Sequence, residues 1–556
     1  MIKSVLSLLC SIVCVSLFAQ PKLENHGDWA RIIVNDKPML IIGGELGNSS
    51  ASTQEDIRRI FPHLHKLGLN TVLAPISWEL LEPQEGEYDF STLDHIIHEA
   101  RRNELKVVLL WFGAWKNSMS CYTPEWFKRD NKRFPRVHNK NGVPLEEASS
   151  LSANVLEADK KIFCSMMQHI RDVDMNEQTV IMIQVENEIG MITEPRDYSK
   201  DATKMYNSQV PKQLTDYLKK NTKRLNNNRL QIKTYKGTWS ELFGNDIYAE
   251  EIFQAWTYAL YVEEMAKAGK AIYNLPMYVN VALNSRNRTP GEYPSAGPLA
   301  HLIDVWHCGA PSISVLGLDL YDKGYRDWTG RYHLPNNPLF IPEIRLEDHD
   351  AMRALYAFGH HDAMGFCPFS IENYPLTRQS NSDWRNIDIS KDDQLNVFSS
   401  NSSKLSPLVS SYRLLRQTEP LILKHQGTKD MDAVLLDNDT RETDIKFEDG
   451  TVLHISHTYS LGWEPGAKSD KWPEAACIII RQDKDDYIVI GSGIVITFSK
   501  ANGKMVGIAK CEQVEYSQEG EMQIVRHLNG DQTHQGRHIR IPFDNYQIQH
   551  FRLYEY

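Results

Sequence analysis

The chain has 556 residues, room for about two to four domains. Its 41% apolar and 24% charged side chains exclude a disordered or fibrous protein. A formal net charge of -11 argues against nucleic acid or an anionic membrane surface as partner, because both need a basic footprint, and leaves a neutral substrate as the fitting class.

In chain order, Lys3 precedes an apolar run over 5–18, and Ala19, Gln20 and Pro21 follow it. This predicts a secretory signal over 1–20 and an exported protein, periplasmic or at the cell surface. The run is shorter than the roughly 20 residues of a membrane span. Cys14 lacks a good lipoprotein box, so a soluble product is expected rather than a lipid-anchored one.

From residue 39 onward, short apolar runs of the kind found in strands buried on both faces alternate with helical spacing. Strands are predicted at 39–43, 71–76, 106–112, 179–185, 276–283, 313–320, 338–344 and 363–371. Helices are predicted at 53–66, 93–104, 158–174, 210–222, 256–273, 298–308, 349–361 and 405–421, the first opening on a Thr53/Asp56 capping pair. This alternation predicts an α/β chain whose residues 21–424 form a (β/α)8 barrel. A doubly wound open sheet is the alternative, disfavoured because no Gly-rich phosphate loop follows an early strand. After about residue 425 helical spacing vanishes. Short alternating segments at 452–457, 476–481, 487–490, 494–498, 523–525 and 538–541 predict an all-β sandwich over 425–556. Cys121, Cys164, Cys308, Cys367, Cys477 and Cys511 show no metal spacing, so no structural zinc is expected.

Barrel enzymes place their chemistry at the C-terminal ends of the strands. The fourth predicted strand runs into Gln184-Val185-Glu186-Asn187-Glu188-Ile189-Gly190, and the seventh into Pro342-Glu343-Ile344-Arg345. Two carboxyl groups on facing strands suit glycoside hydrolysis: one protonates the leaving oxygen, the other attacks the anomeric carbon or activates water. Glu188 is the candidate acid/base and Glu343 the candidate nucleophile. A retaining pair would stand about 5–5.5 Å apart. Glu188 needs a raised pKa, supplied by like-charge repulsion, whereas Glu343 should stay ionised, helped by Arg345 or a Tyr hydroxyl. Asn187 could bond the sugar's 2-hydroxyl. Glu186 is a rival, because in a regular strand it shares a face with Glu188. Other strand ends offer Glu45, Trp78, Trp115, Lys116, Asn117, Asn284, Tyr321, Glu372 and Asn373 as sugar contacts, aromatic faces for C–H surfaces and polar groups for hydroxyls. No metal or cofactor is expected, since a carboxylate pair suffices.

Four stretches together resemble a known group: Pro75-Ile76-Ser77-Trp78, then Glu82-Pro83-Gln84-Glu85-Gly86-Glu87-Tyr88-Asp89-Phe90, then Thr123-Pro124-Glu125-Trp126, and the Gln184–Gly190 segment. They resemble clan A glycoside hydrolases, more narrowly the β-galactosidases of family 35, with some likeness to family 42. The resemblance implies Glu188 as acid/base, Glu343 as nucleophile, Asn187 at the substrate and Tyr321 near the nucleophile. The C-terminal β domain on such a barrel resembles that of bacterial exported β-galactosidases acting on plant polysaccharide side chains, xyloglucan among them. The implied partner is an oligo- or polysaccharide with terminal β-galactose. Two departures bear on the sugar: Ile189 stands where family 35 has Tyr, and Gly113-Ala114-Trp115-Lys116-Asn117 only loosely matches its Cys-Ala-Glu-Trp. The alternatives are another retaining glycosidase (a β-glucosidase or α-L-arabinosidase) and a catalytically inactive carbohydrate-binding protein.

Overall fold

The computed structural model describes residues 20–225, 227–283, 287–378, 404–517 and 520–556. The predicted signal, up to residue 19, and Asn284 lie outside them. Eight parallel strands close into a barrel in chain order: β1 (Ile41–Glu45), β2 (Thr71–Ser77), β3 (Lys106–Phe112), β4 (Val180–Gln184), β5 (Met277–Ala282), β6 (Val315–Leu320), β7 (Phe340–Ile344) and β8 (Gly365–Pro368). Closure rules out the open-sheet alternative. The first strand starts two residues later than predicted, because Met39 pairs with Ile32 in a separate antiparallel meander of Lys22–Asn25, Ala30–Val34 and Lys37–Met39. Ile32 and Val34 of that meander join the buried cluster formed by Ile41, Leu73, Val108, Met182, Tyr278 and Phe340, and so plug the barrel end opposite the strand C-termini.

Helices cover the barrel much as expected. Helix Gln54–Lys66 begins at Thr53, whose side chain accepts from the Asp56 amide. The longest helix, Ile247–Ile272, starts well before its predicted bound and is capped by Asp246. It is buried on most sides, so no polar stripe marks where it begins.

Residues 431–555 form two antiparallel sheets. Their strands are β9 (Met431–Leu436), β10 (Glu442–Lys446), β11 (Thr451–His457), β12 (Ala475–Asp483), β13 (Asp486–Ser492), β14 (Ile494–Lys500), β15 (Val506–Tyr516), β16 (Met522–His527), β17 (Ile539–Ile541) and β18 (Gln547–Glu555). One sheet has the order β9-β12-β13-β18-β15-β16, the other β10-β11-β14-β17. The six predicted segments correspond to β11–β14, β16 and β17. The period of two in β12 divides its side chains between two cores. Cys477 and Ile479 face the second sheet, with Ile455, Val489 and Ile496. Ile478 and Ile480 belong to the barrel's own cluster, against helix Asp350–His360. The sandwich and barrel therefore share buried apolar surface.

Gly359 marks how tightly they meet: a Cβ there would lie 2.6 Å from the Ala433 Cβ and 2.8 Å from Ile478 Cγ1. Overpacking of this kind costs about 1–3 kcal/mol. Gly359→Val is expected to lower the thermal midpoint by several degrees in one cooperative transition. An unchanged midpoint would mean that the seam gives way at no cost.

Candidate active site

The site is built on four barrel strands and one loop. Glu45 ends β1, Glu188 follows β4, Asp319 lies near the end of β6, and Glu343 lies near the end of β7. All four are buried. One carboxyl oxygen from each of Glu188, Asp319 and Glu343 lies within 4.8 Å of the other two. Asp319 and Glu343 are register partners on adjacent strands. Lys116, from the loop after β3, supplies the neighbouring positive charge and donates from Nζ to Asn187 Oδ1 at 2.8 Å.

Neighbouring amides and a phenol aim these carboxyls. Asn117 Nδ2 donates to Glu188 Oε2. The Glu188 backbone N–H donates to Asn280 Oδ1 at 2.8 Å, and Asn280 Nδ2 donates to Asp319 Oδ2 at 2.6 Å. Tyr321, which is 39% exposed, donates its hydroxyl to Glu343 Oε1. Thus Glu188, Asn187, Lys116, Asn117, Glu45, Glu343 and Tyr321 come together. Both polar atoms of Gln184 and Asn187 Nδ2 are buried with no hydrogen-bond partner among the described residues, while Glu45 bonds Glu343 and Asp319 bonds Glu188 side chain to side chain. Buried polar groups are normally satisfied, so this concentration at one mouth marks a place for a polar ligand.

Burial pushes the Glu188 carboxyl up, while Lys116 pulls it down. Burial, then the Glu188 charge, pushes Glu343 up to about 7, against the lowering effect of Lys116 and the Tyr321 hydroxyl. Glu45 and Asp319 are driven well above the carboxylate range, first by burial and then by Glu343. The phenol bonds Glu343 as expected and favours its charge, while burial and the neighbouring acids oppose it, so the four acids share protons as a group. Three such oxygens could geometrically hold a hard divalent cation, but Lys116 already provides positive charge there.

Glu186 does not share a face with Glu188. Both residues take positive φ, +60° and +44°, which breaks the strand alternation just past β4. Glu186 turns toward the helix layer, where its Oε2 accepts from the Trp115 amide at 2.8 Å beside Asp159. Asp159 accepts from Trp111 Nε1 at 3.0 Å and the Tyr261 hydroxyl at 2.7 Å. Trp115 is fully buried and packs edge-on against Tyr258 and Tyr261, so its ring is not at the mouth. Trp78 is also fully buried, with its indole N–H donated to Glu82 Oε2 at 2.8 Å. Glu82 also accepts from the Gly86 amide at 2.8 Å and, through its carbonyl, from Trp126 Nε1 at 3.1 Å. The Trp78, Glu82–Gly86 and Trp126 motif is thus a clasp that shapes the loop after β2. Glu372 accepts from Ser50 Oγ and the Gly47 amide. Asn373 lies in the short helical turn after β8, and Asn284 lies outside the described residues.

Two site residues escaped the sequence reading, Asp319 and Asn280. Each is a polar residue interrupting an apolar strand, in Leu318-Asp319-Leu320 and Val279-Asn280-Val281, and that interruption was the available signal.

Residues 48–245 match the family model of glycoside hydrolase family 42, described as β-galactosidase, and residues 408–540 match a domain of unknown function (DUF5597). Residues 48–245, which hold β2 to β4, are thus similar to the β-galactosidase domain of family 42. The match is to family 42 rather than to the narrower family 35 likeness, and it spans β2 to β4 with Lys116, Asn117, Asn187 and Glu188. A β-galactosidase of Xanthomonas manihotis is 30% identical over 146 residues, which is 25% of this chain and 22% of that protein. The chain thus spans under a quarter of the curated relative it matches. Solved β-galactosidases also align. That from Marinomonas ef1 is 12% identical over 59% of this chain and 53% of its own, with a TM-score of 0.40. That from Bacillus circulans sp. alkalophilus is 14% identical over 69% and 57%, with a TM-score of 0.42. That from Rahnella sp. R3 is 16% identical over 60% and 50%, with a TM-score of 0.39.

Asn280→Ala would leave the Glu188 amide and Asp319 Oδ2 without partners, an expected cost of about 1–3 kcal/mol measurable by denaturant unfolding. A loss below about 0.5 kcal/mol would show that water replaces the amide. The Glu186–Asp159 pair gives a pH test. Burial raises both carboxyls. Their stabilising effect is full below the ordinary carboxylate range and is lost as pH rises through the folded values. Glu186→Gln keeps an acceptor for Trp115 and removes one titration. Between about pH 5 and 8 its thermal midpoint is expected to fall less steeply than that of the parent; parallel curves would refute the shared proton.

Proposed function

We propose that this chain is a retaining, exo-acting β-galactosidase that removes terminal β-galactosyl residues from plant-type glycans such as xyloglucan side chains. The supporting observation is the Glu188–Glu343 pair at the ends of opposed strands, with one carboxyl oxygen of each within 4.8 Å of the other. That spacing suits double displacement, whose carboxyls lie about 5–5.5 Å apart, better than an inverting pair at about 6.5–9.5 Å. In this reading Glu343 attacks the anomeric carbon as Glu188 protonates the departing glycosidic oxygen. Glu188 then takes a proton from the water that releases the sugar from Glu343. The unpartnered Asn187 Nδ2 is available to the 2-hydroxyl. The productive state has Glu188 protonated and Glu343 ionised, so activity should follow a bell-shaped pH profile. The apolar run after Lys3 supports export of the enzyme.

Release of nitrophenol from a panel of para-nitrophenyl glycosides tests the reading. The β-galactoside should be the best substrate, and Glu188→Gln and Glu343→Gln should each lower kcat/KM by about 10³-fold or more. Preference for a β-glucoside or α-L-arabinoside would keep the mechanism and change the sugar. No cleavage of any glycoside would leave a binding protein. Tyr321→Phe removes a donor that lowers the Glu343 pKa, so the acidic limb should move to higher pH and kcat/KM should fall by about tenfold. An unmoved limb would mean that the phenol does not set the nucleophile's ionisation.

A further inference from the structure

A cleft of about 530 Å³ lies where the barrel meets the sandwich. Its barrel wall comes from the loops after β7 and β8, through Asp348, His349 and Arg378. Those loops belong to the face on which Glu343 sits, and Asp348 is only five positions further along the chain. Its other wall comes from loops at one end of the sandwich, through Trp472, Phe543 and Tyr546, with Asn438 at the rim.

Among the described residues, the charges of this cleft are already spoken for. Arg378 donates to Asp348 at 3.2 Å and to Asp544 at 3.1 Å. Arg353 donates twice to Glu474, at 2.8 and 3.1 Å. Arg326 pairs with Asp437 at 3.0 Å. Burial keeps the His349 pKa below its ordinary value. A phosphate, carboxylate or ammonium ligand would have to break one of these pairs. What remains is aromatic surface and hydrogen-bonding groups. Trp472 is fixed in orientation by Arg441, 4.2 Å over its ring, and by neighbouring His457 and Tyr459. Pre-ordered aromatic rings beside paired charges suit the C–H faces and hydroxyls of a neutral saccharide.

The geometry points to this cleft as a second saccharide site, which holds the neutral glucan backbone of the substrate while the terminal sugar occupies the barrel mouth. The inference rests on the glycosidase reading for its choice of ligand. It gives the sandwich a role: more than half of the cleft is made of sandwich residues, so the domain contributes to the choice of polymer rather than to the bond broken.

Affinity electrophoresis through gels containing galactosylated xyloglucan tests it, using Glu343→Gln protein to prevent turnover. Trp472→Ala in that background is expected to weaken retardation by roughly tenfold in apparent Kd. With Glu343 intact, the same change should alter turnover of para-nitrophenyl β-galactoside less than twofold. That turnover also reports folding. If Trp472→Ala loses it, Asn438→Trp, which fills the cleft from an exposed position, replaces it. Unchanged retardation of a folded cleft variant would overturn the inference, as would a parent protein that the polymer does not retard. If instead no glycoside is cleaved but the cleft variants lose retardation, the saccharide site stands and the glycosidase reading falls.

Discussion

Four buried carboxyl groups, Glu45, Glu188, Asp319 and Glu343, surround the Lys116 ammonium at the barrel mouth, the single ammonium there among the described residues. Removing a charge from water costs several kcal/mol even after relaxation, so a group of this size cannot ionise fully. Protons must remain within it, and their distribution is set by which neighbours donate. Tyr321 and Lys116 favour charge on Glu343. Asn117 donates to Glu188, and Asn280 donates to Asp319. This constraint explains why a closed barrel is needed. The acids come from β1, β4, β6 and β7 and the cation from the loop after β3, and only closure brings those ends to one place.

The backbone after β4 does the finest positioning. Positive φ at Glu186 and Glu188 is unfavourable for side chains that carry a Cβ, and such strain persists only where its surroundings enforce it. The enforcement is visible. The Asn117 and Ser118 amides donate to the Asn187 and Glu188 carbonyls at 3.2 and 3.3 Å, and Asn280 holds the Glu188 amide. Two glutamates two positions apart are thereby sent in opposite directions. One supports the loop that carries Lys116 and Asn117; the other faces the mouth.

How much of this the sequence disclosed follows from which signals are local. The barrel strands are buried on both faces, so they stand out as apolar runs, and the acids that end β4 and β7 stand out with them. The turn that separates Glu186 from Glu188 depends on the loop after β3, which no pattern within the Gln184–Gly190 segment reveals. Trp78 and Trp115 lie just past strand ends, where an exposed sugar platform and a buried anchor look alike in sequence. Asp319 and Asn280 do not stand out in sequence, because an apolar run hides its own polar exceptions. In the sandwich, β9 and β10 were not distinguished as strands. β15 carries Gly507, Lys510 and Glu512, and β18 buries Gln547, Gln549 and His550, so neither shows clean alternation.

The sandwich is also bound into the geometry of the site. Helix Asp350–His360 follows the loop after Glu343, and its Gly359 packs on Ala433 of β9 and Ile478 of β12. Its Arg353 is held by Glu474, just before β12. The segment that leaves β7 is therefore fixed at three points by residues of the other domain. In the proposed role of nucleophile, Glu343 needs its carboxyl held closely to the reacting geometry, because small displacements are costly in rate. The shared core and the Arg353–Glu474 pair supply that rigidity from behind β7, while Tyr321 supplies it from the front. The two domains thus act as one scaffold, in which the strand carrying Glu343 is braced by packing that only the sandwich provides.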